Sequence, residues 1–253
     1  LALPEIADAV NLIAERLFQG GRLLYVGAGT SGRLGVMDAS ECPPTFGVSP
    51  ELIQGLIAGG VSALTDEIEG AEDDSIAGES VMKNTGVNRK DVVLGLSASG
   101  TTPFVLAAME YTKQQGSARI GLACEMDSVL LKNVDVAICV PVGPEILYGS
   151  TRLKAGTAQK MILNMLSTAV MVKLGKVYKN HMVDLRVSNI KLVRRAELMV
   201  AELGEVSQET ATKLLKETGN NVKTAIVMAK RKINILEAEK NLKAVDGILS
   251  KII

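Results

Sequence analysis

The sequence predicts an α/β fold, a parallel sheet flanked by helices, followed by a small all-α subdomain at the C-terminus. Three observations predict it. Short apolar runs alternate with helical patterns over residues 3–140. Two of those runs end in loops rich in Gly, Ser and Thr, at 27–32 and 97–102. From Thr151 onward strand patterns stop, and helical ones continue to Ile253.

Each element has its own reason. Leu3 to Phe18 spaces its apolar residues for an amphipathic helix, which Gly20-Gly21 ends. Residues 22–26 (RLLYV) form a short apolar strand, and a helix is expected over 31–39. Residues 52–58 are a second strand, followed by a mostly polar helix over 72–83. A third strand at 91–96 leads into a helix over 103–114, with Pro103 suited to the first turn. Strands at 118–123 and 134–140 complete the sheet. Residues 151–174 form a long, very apolar helix, whose Met and Leu residues belong to a core or a dimer face. Several shorter helices fill 187–253. The boundary falls near 176–184, giving an α/β domain over 1–184 and a helical subdomain over 185–253.

Composition removes several functions. Aromatic residues make up 3% and Trp is absent, so base-stacking platforms are missing. Lys and Arg equal Asp and Glu at 28 each, so no net field favours nucleic acid or an anionic membrane. The run Lys230-Arg231-Lys232 reads as a solvated helix face. No apolar stretch reaches membrane-spanning length, and no secretory signal is visible. Three scattered cysteines, Cys42, Cys124 and Cys139, fit a reducing cytoplasm better than a disulfide framework. The single histidine, His181, excludes a His-rich metal site, and its default role is structural or interfacial. The chain starts inside a helical pattern and without Met, which points to a missing upstream segment.

The first loop, Gly27-Ala28-Gly29-Thr30-Ser31-Gly32, spells G-x-G-x-x-G. A dinucleotide site also needs an acid at the end of the second strand, where this chain has Ala58-Gly59-Gly60. A P-loop lysine is absent as well. The motif offers the hydroxyls of Thr30 and Ser31, with Gly32, at a helix N-terminus, where backbone N–H groups favour an anion. Ser97, Ser99 and Thr102 repeat that arrangement after the third strand. Either loop alone reads better as an ordinary helix cap or turn. Together, at one sheet edge, they suit a phosphate monoester. Ser150 and Lys154, near the start of the long helix, are further candidates for substrate charge, with capping and surface charge as competitors.

Carboxylates are the natural acid–base groups in a chain without histidine clusters. Glu41 precedes Cys42-Pro43-Pro44, a sequence expected to form a rigid chain reversal. Glu72 is expected to open the helix after the second strand. An exposed helix-end carboxylate and a first-turn acid are the competing readings. Cys42 reads as a buried structural thiol.

The run "GAGTSGRLGVMDASECPPTFG" (27–47) resembles the signature of the N-acetylmuramic acid 6-phosphate etherase family, shared more weakly by the glucokinase regulatory protein. "GLIAGG" (55–60), "EGAEDD" (69–74), the run 149–184 and "KTAIVM" (223–228) are similar to the same family, so the likeness covers almost the whole chain. The paired loops look like those of a sugar isomerase (SIS) domain. Thr101 departs from the family, which usually has Arg there. The resemblance implies an SIS-type sheet, a phosphosugar substrate, no cofactor or metal, a cytoplasmic homodimer, and cleavage of the C3 lactyl ether. It implies catalytic roles for Glu41 and Glu72. Those roles need one carboxyl protonated and the other ionised, which burial or a partner must provide. A non-enzymatic phosphosugar sensor and an aldose–ketose isomerase are the alternatives.

Overall fold

The computed structural model describes residues 2–187 and 189–253. The five apolar runs become β1 (Leu23–Gly27), β2 (Ile53–Ile57), β3 (Val92–Leu96), β4 (Ala118–Ala123) and β5 (Val136–Cys139). They form one parallel sheet in the order β2-β1-β3-β4-β5. Every residue of β1 and β3 is buried, which is why both read as unbroken apolar runs rather than alternating ones. Edge strand β2 is buried only at its two ends.

Chain order and sheet order part at β1. The chain steps from β1 to β2 on one side, then crosses to β3 on the other. The carboxyl ends of β1 and β3 therefore flank the topological switch point, where open α/β sheets bind ligands. Gly27 and Leu96 are register partners, so the two hydroxyl-rich loops leave the sheet side by side, about 5 Å apart.

Six helices accompany the strands: α1 (Leu3–Phe18), α2 (Gly29–Phe46), α3 (Ser75–Thr85), α4 (Pro103–Gln114), α5 (Val129–Lys132) and α6 (Lys154–Lys173). On one face of the sheet, Leu24, Val26 and Val93 pack with Met82, Phe104, Val105, Ala108 and Met109. Burying Phe104 alone stabilises by about 2–3 kcal/mol. At the amino edge, Arg22 grips the buried Asp91 through Nη2 at 2.7 Å and Nε at 3.2 Å, joining the starts of β1 and β3.

Two expected boundaries are corrected. No chain reversal occurs at Cys42-Pro43-Pro44: α2 runs through both prolines to Phe46. Only the last turn follows them, so few backbone bonds are lost, and Gly47 N–H still donates to Pro43 O at 3.0 Å. Nor does Glu72 open α3. It lies in a 3-10 turn, Ala71–Asp73, and α3 starts at Ser75 because Asp74 caps it, accepting from Ala77 N–H at 2.8 Å.

Packing divides the chain into two units, one of Leu1–Glu41 with Ser49–Val170, the other of Cys42–Val48 with Met171–Ile253. Composition changes after the long helix, near 184, whereas packing changes within it. In the second unit lie α7 (Ile190–Gly204), α8 (Gln208–Glu217), α9 (Val222–Arg231), α10 (Ile235–Ala244) and a 3-10 turn, Leu249–Lys251. Asn189, Ser207, Asn221 and Asn234 cap the four helices through their side chains. Met199, Val200, Leu203, Ala225, Ile226 and Val227 are at the centre of this unit's core. Burial pushes the Lys223 ammonium down, opposed by Asp184, whose Oδ2 it meets at 2.6 Å. The basic run is spent locally: Lys230 pairs with Glu205, Arg231 donates to Ile252 O, and Lys232 forms the C-cap of α9. Among the described residues no helix is long and apolar enough to cross a membrane.

Gly100 shows how tightly the second loop is built. Its φ is +67°, and a Cβ there would lie 2.3 Å from Ser128. Gly100→Ala is expected to cost about 2–4 kcal/mol of stability, through strain and overpacking together. The denaturant midpoint measures it, and an unchanged midpoint would show that the loop relaxes freely.

Candidate active site

The first loop is shaped by close approach. A Cβ on Gly32 would lie 2.7 Å from Gly27 O, so this glycine lets the start of α2 pack directly onto the end of β1. Thr30 packs its methyl toward α6, 3.3 Å from where Gly156 would carry a Cβ. Ser31 is almost buried, at 9% exposure. Its hydroxyl donates to Gln159 Oε1 on α6 at 2.8 Å.

The second loop gathers its hydroxyls into one network. Ser97 Oγ and Thr102 Oγ1 share a hydrogen bond of 2.8 Å, and Ser97 Oγ accepts from Gly100 N–H at 2.9 Å. Ser99 Oγ lies 3.4 Å from Ser97 Oγ and 2.9 Å from Thr101 Oγ1. Ser97 is buried, Thr102 half-buried and Ser99 exposed, so the network runs from the sheet outward. Thr101, the departure from the family pattern, joins the network instead of bringing a charge.

Glu72 lines a cavity of about 330 Å³ with Gly29, Thr30, Arg33 and the acidic segment Asp66, Glu67, Glu69. Arg33 donates to the carbonyls of Leu64 and Asp66 at 3.3 and 2.9 Å, tying that segment to α2. One carboxylate and one hydroxyl of the expected site therefore share a wall. Among the described residues no group of three or more His, Cys, Asp or Glu side chains is placed to hold a metal ion.

Glu41 lies apart from this cavity. It is an exposed residue ten positions after Ser31 on the same helix, which at 1.5 Å per residue puts it about 15 Å along the axis. Glu72 is exposed too, so the chain alone does not supply the burial expected for one of the pair. Ser150 is half-buried, its N–H donating to Leu147 O at 3.0 Å. Lys154 is exposed at the start of α6 and lines a separate apolar depression with Leu153, Ala158 and Met161. The α6 N-terminus holds a carboxylate already: Ala155 and Lys154 N–H both donate to Glu145 at 3.0 Å. The Ala155 bond leads in holding that carboxyl below its usual range.

Family models match three stretches: a glucokinase regulatory protein N-terminal SIS domain over residues 5–113, an SIS domain over 72–169, and the C-terminal lid domain of glucokinase regulatory protein over 179–218. An N-acetylmuramic acid 6-phosphate etherase from Clostridium acetobutylicum is 51% identical over 98% of this chain and 82% of its own. One from Oenococcus oeni is 50% identical over 100% and 85%. One from Vibrio campbellii is 52% identical over 98% and 81%.

The chain belongs to the N-acetylmuramic acid 6-phosphate etherase family.

The fold has wider relatives. A phosphoheptose isomerase from Francisella tularensis superposes with a TM-score of 0.51 at 20% identity, covering 68% of this chain and 87% of that one. At that identity the likeness concerns the fold.

Family membership and geometry together expose what the sequence reading missed. Gln159 sits in the stretch read as a long apolar helix, and Asp38 in the helix expected after the first loop; neither was singled out. Asp38, 4% exposed, accepts from Tyr25 OH at 2.9 Å, Asn164 Nδ2 at 2.7 Å and Ser167 Oγ at 3.1 Å. On α6 the spacing Gly156, Gln159, Ser167 marks one helix face, and that period is the signal that was available.

The thiols are poor nucleophiles. Burial, with Cys139 and Glu145 adding to it, pushes the Cys124 thiol up to about 11. Burial also raises Cys139, and Cys42 is only 2% exposed. At pH 7.5 iodoacetamide is expected to alkylate Cys124 about a hundredfold or more slower than free cysteine. Mass spectrometry of the modified peptides checks this, and rapid labelling of Cys124 would contradict it.

Proposed function

We propose that this chain is a carbon–oxygen lyase. It cleaves the C3 lactyl ether of N-acetylmuramic acid 6-phosphate to D-lactate and N-acetylglucosamine 6-phosphate. The observation that carries this reading is the pair of hydroxyl loops at the switch point, beside a cavity that Glu72 and Thr30 both line. Relatives at about half identity, named for this activity, support the substrate. The hydroxyls of Thr30, Ser31, Ser97, Ser99 and Thr102 hold the phosphate. Gly32 lets the backbone approach it, and Ser150 and Lys154 extend the binding surface.

Ring opening exposes a C1 aldehyde, which acidifies the C2 proton. Glu72 removes that proton, and the C3–O bond then breaks. Glu41 protonates the leaving lactyl oxygen, then deprotonates the water that adds at C3. Glu72 returns its proton to C2. No step requires a cofactor or metal.

About 15 Å between Glu41 and Ser31 exceeds the reach of one sugar phosphate. The reading therefore takes Glu41 from a second copy, in a homodimer that also covers the exposed carboxylates. Met161 and Met165, exposed on α6, support an apolar contact between copies. The three free cysteines accord with a reducing cytoplasm.

Incubation with N-acetylmuramic acid 6-phosphate should release one D-lactate per sugar, and release should persist after exhaustive chelation. Binding of the phosphosugar without lactate would replace this reading with that of a phosphosugar-sensing regulator. Loss of release with chelator, restored by a divalent ion, would end the metal-free scheme.

A further inference from the structure

Gln159 is the most buried polar side chain near either loop, at 1% exposure. Its amide has two ends. Oε1 accepts the Ser31 hydroxyl at 2.8 Å, and Nε2 is buried with no hydrogen-bond partner among the described residues. The position is well supported. Gly156, one turn earlier on α6, packs on Thr30, and Asn164 and Ser167, further along, bond the buried Asp38 of α2. Three points of contact thus hold α6 against the helix that begins with the first loop.

This arrangement bears directly on what Ser31 can do. A serine hydroxyl has one proton to donate. While that proton goes to Oε1, Ser31 has only lone pairs to offer, and a phosphate oxygen needs a donor. Turning the amide by 180° exchanges its ends at nearly the same positions. Nε2 then donates to Ser31 Oγ, and the hydroxyl proton is released toward the loop. The exchange also replaces an unpaired buried N–H group by an unpaired carbonyl, and unpaired N–H groups are the rarer of the two in folded proteins. Anion and protein therefore favour the same orientation.

We propose that Gln159 is a positioning residue for phosphate binding, its amide donating to Ser31 Oγ and so making the Ser31 hydroxyl a donor to the substrate phosphate. This rests on the reading of the two loops as a phosphate site. It assigns the long helix a role in ligand binding as well as in the core. It also makes the two residues a coupled pair, so removal of either forfeits the same hydrogen bond to the anion.

A double-mutant cycle on the full chain tests it, with Gln159→Met, Ser31→Ala and the combination. The probe is inorganic phosphate, followed by calorimetric titration, so the readout does not depend on turnover. Gln159→Met is expected to weaken phosphate binding by about ten- to a hundredfold, the range for one charge-assisted hydrogen bond. Ser31→Ala should weaken it by a similar factor, and adding Gln159→Met to Ser31→Ala should change little. With substrate, the loss should appear in KM rather than kcat. Independent, multiplying losses would overturn the coupling, as would phosphate affinity unchanged in Gln159→Met. Should Gln159→Met not fold, Gln159→Leu supplies the second arm. A leucine offers no donor to Ser31 Oγ, so it should also weaken phosphate; unchanged affinity would overturn the proposal. Phosphate binding by wild-type protein that releases no lactate would refute the lyase reading alone. Absence of phosphate binding by wild type would refute the site on which the inference stands.

Discussion

Glu72→Gln is expected to abolish exchange of the substrate's C2 proton with deuterated water, while Glu41→Gln retains exchange and loses lactate release. The difference follows from order: C2 deprotonation can precede departure of the lactyl group, but departure cannot precede deprotonation. Either loss should be on the order of 10²–10⁴-fold, the range for general acid–base catalysis. Exchange is compared across a pH series rather than at one value, because coupling between the two proposed groups would let either change alter the other's protonation. Retention of exchange by Glu72→Gln together with its loss in Glu41→Gln would reverse the roles. Wild-type release by both variants would leave two surface carboxylates without a catalytic part. Because Glu41 is about 15 Å along α2 from Ser31, the two variants should also complement each other. In the proposed homodimer, a reassembled mixture of the two inactive variants should regain about a quarter of wild-type activity, since half the dimers would be hybrids with one intact site each. No recovery after verified subunit exchange would place both glutamates of a site on one chain.

Asp38→Ala is expected to be the most destabilising single change in the α/β unit, at about 3–5 kcal/mol. The carboxylate is 4% exposed and accepts from Tyr25, Asn164 and Ser167. Its removal takes one acceptor away from a buried phenol, a half-buried amide and a buried hydroxyl at once. Asp38→Asn should cost less, about 1–3 kcal/mol, because the side-chain shape and one acceptor oxygen survive. Urea midpoints at constant m-value measure both. A loss under about 1 kcal/mol for Asp38→Ala would mean that the donors find other partners.

Much of the architecture was legible in one dimension because local causes set it. α1 and α4 have the boundaries expected from apolar spacing, from Gly20-Gly21 and from Pro103. β4 likewise matches at both ends. The caps of the C-terminal helices are Asn and Ser residues whose side chains bond backbone three positions ahead. Local rules misled where tertiary packing outweighed them. Pro43 and Pro44 forfeit backbone bonds, yet α2 continues because Cys42 and Phe46 on that last turn are buried. Glu72 looked like a helix-opening acid, but Asp74 outcompetes it as the cap.

By itself, the sequence determined the class of fold, the pair of hydroxyl loops and the resemblance to a phosphosugar-handling family, since each depends on residues close together in the chain. Only the tertiary structure decided which groups meet. Register set Gly27 beside Leu96 and so brought together loops 69 residues apart in the chain. A cavity wall joined Glu72 to Thr30, and the rise of a single helix separated Glu41 from Ser31. Packing of α6 turned Gln159 toward Ser31, 128 residues away. Contacts of that span depend on strand order and helix orientation, which arise from burial of whole faces, and no local run of residues encodes them.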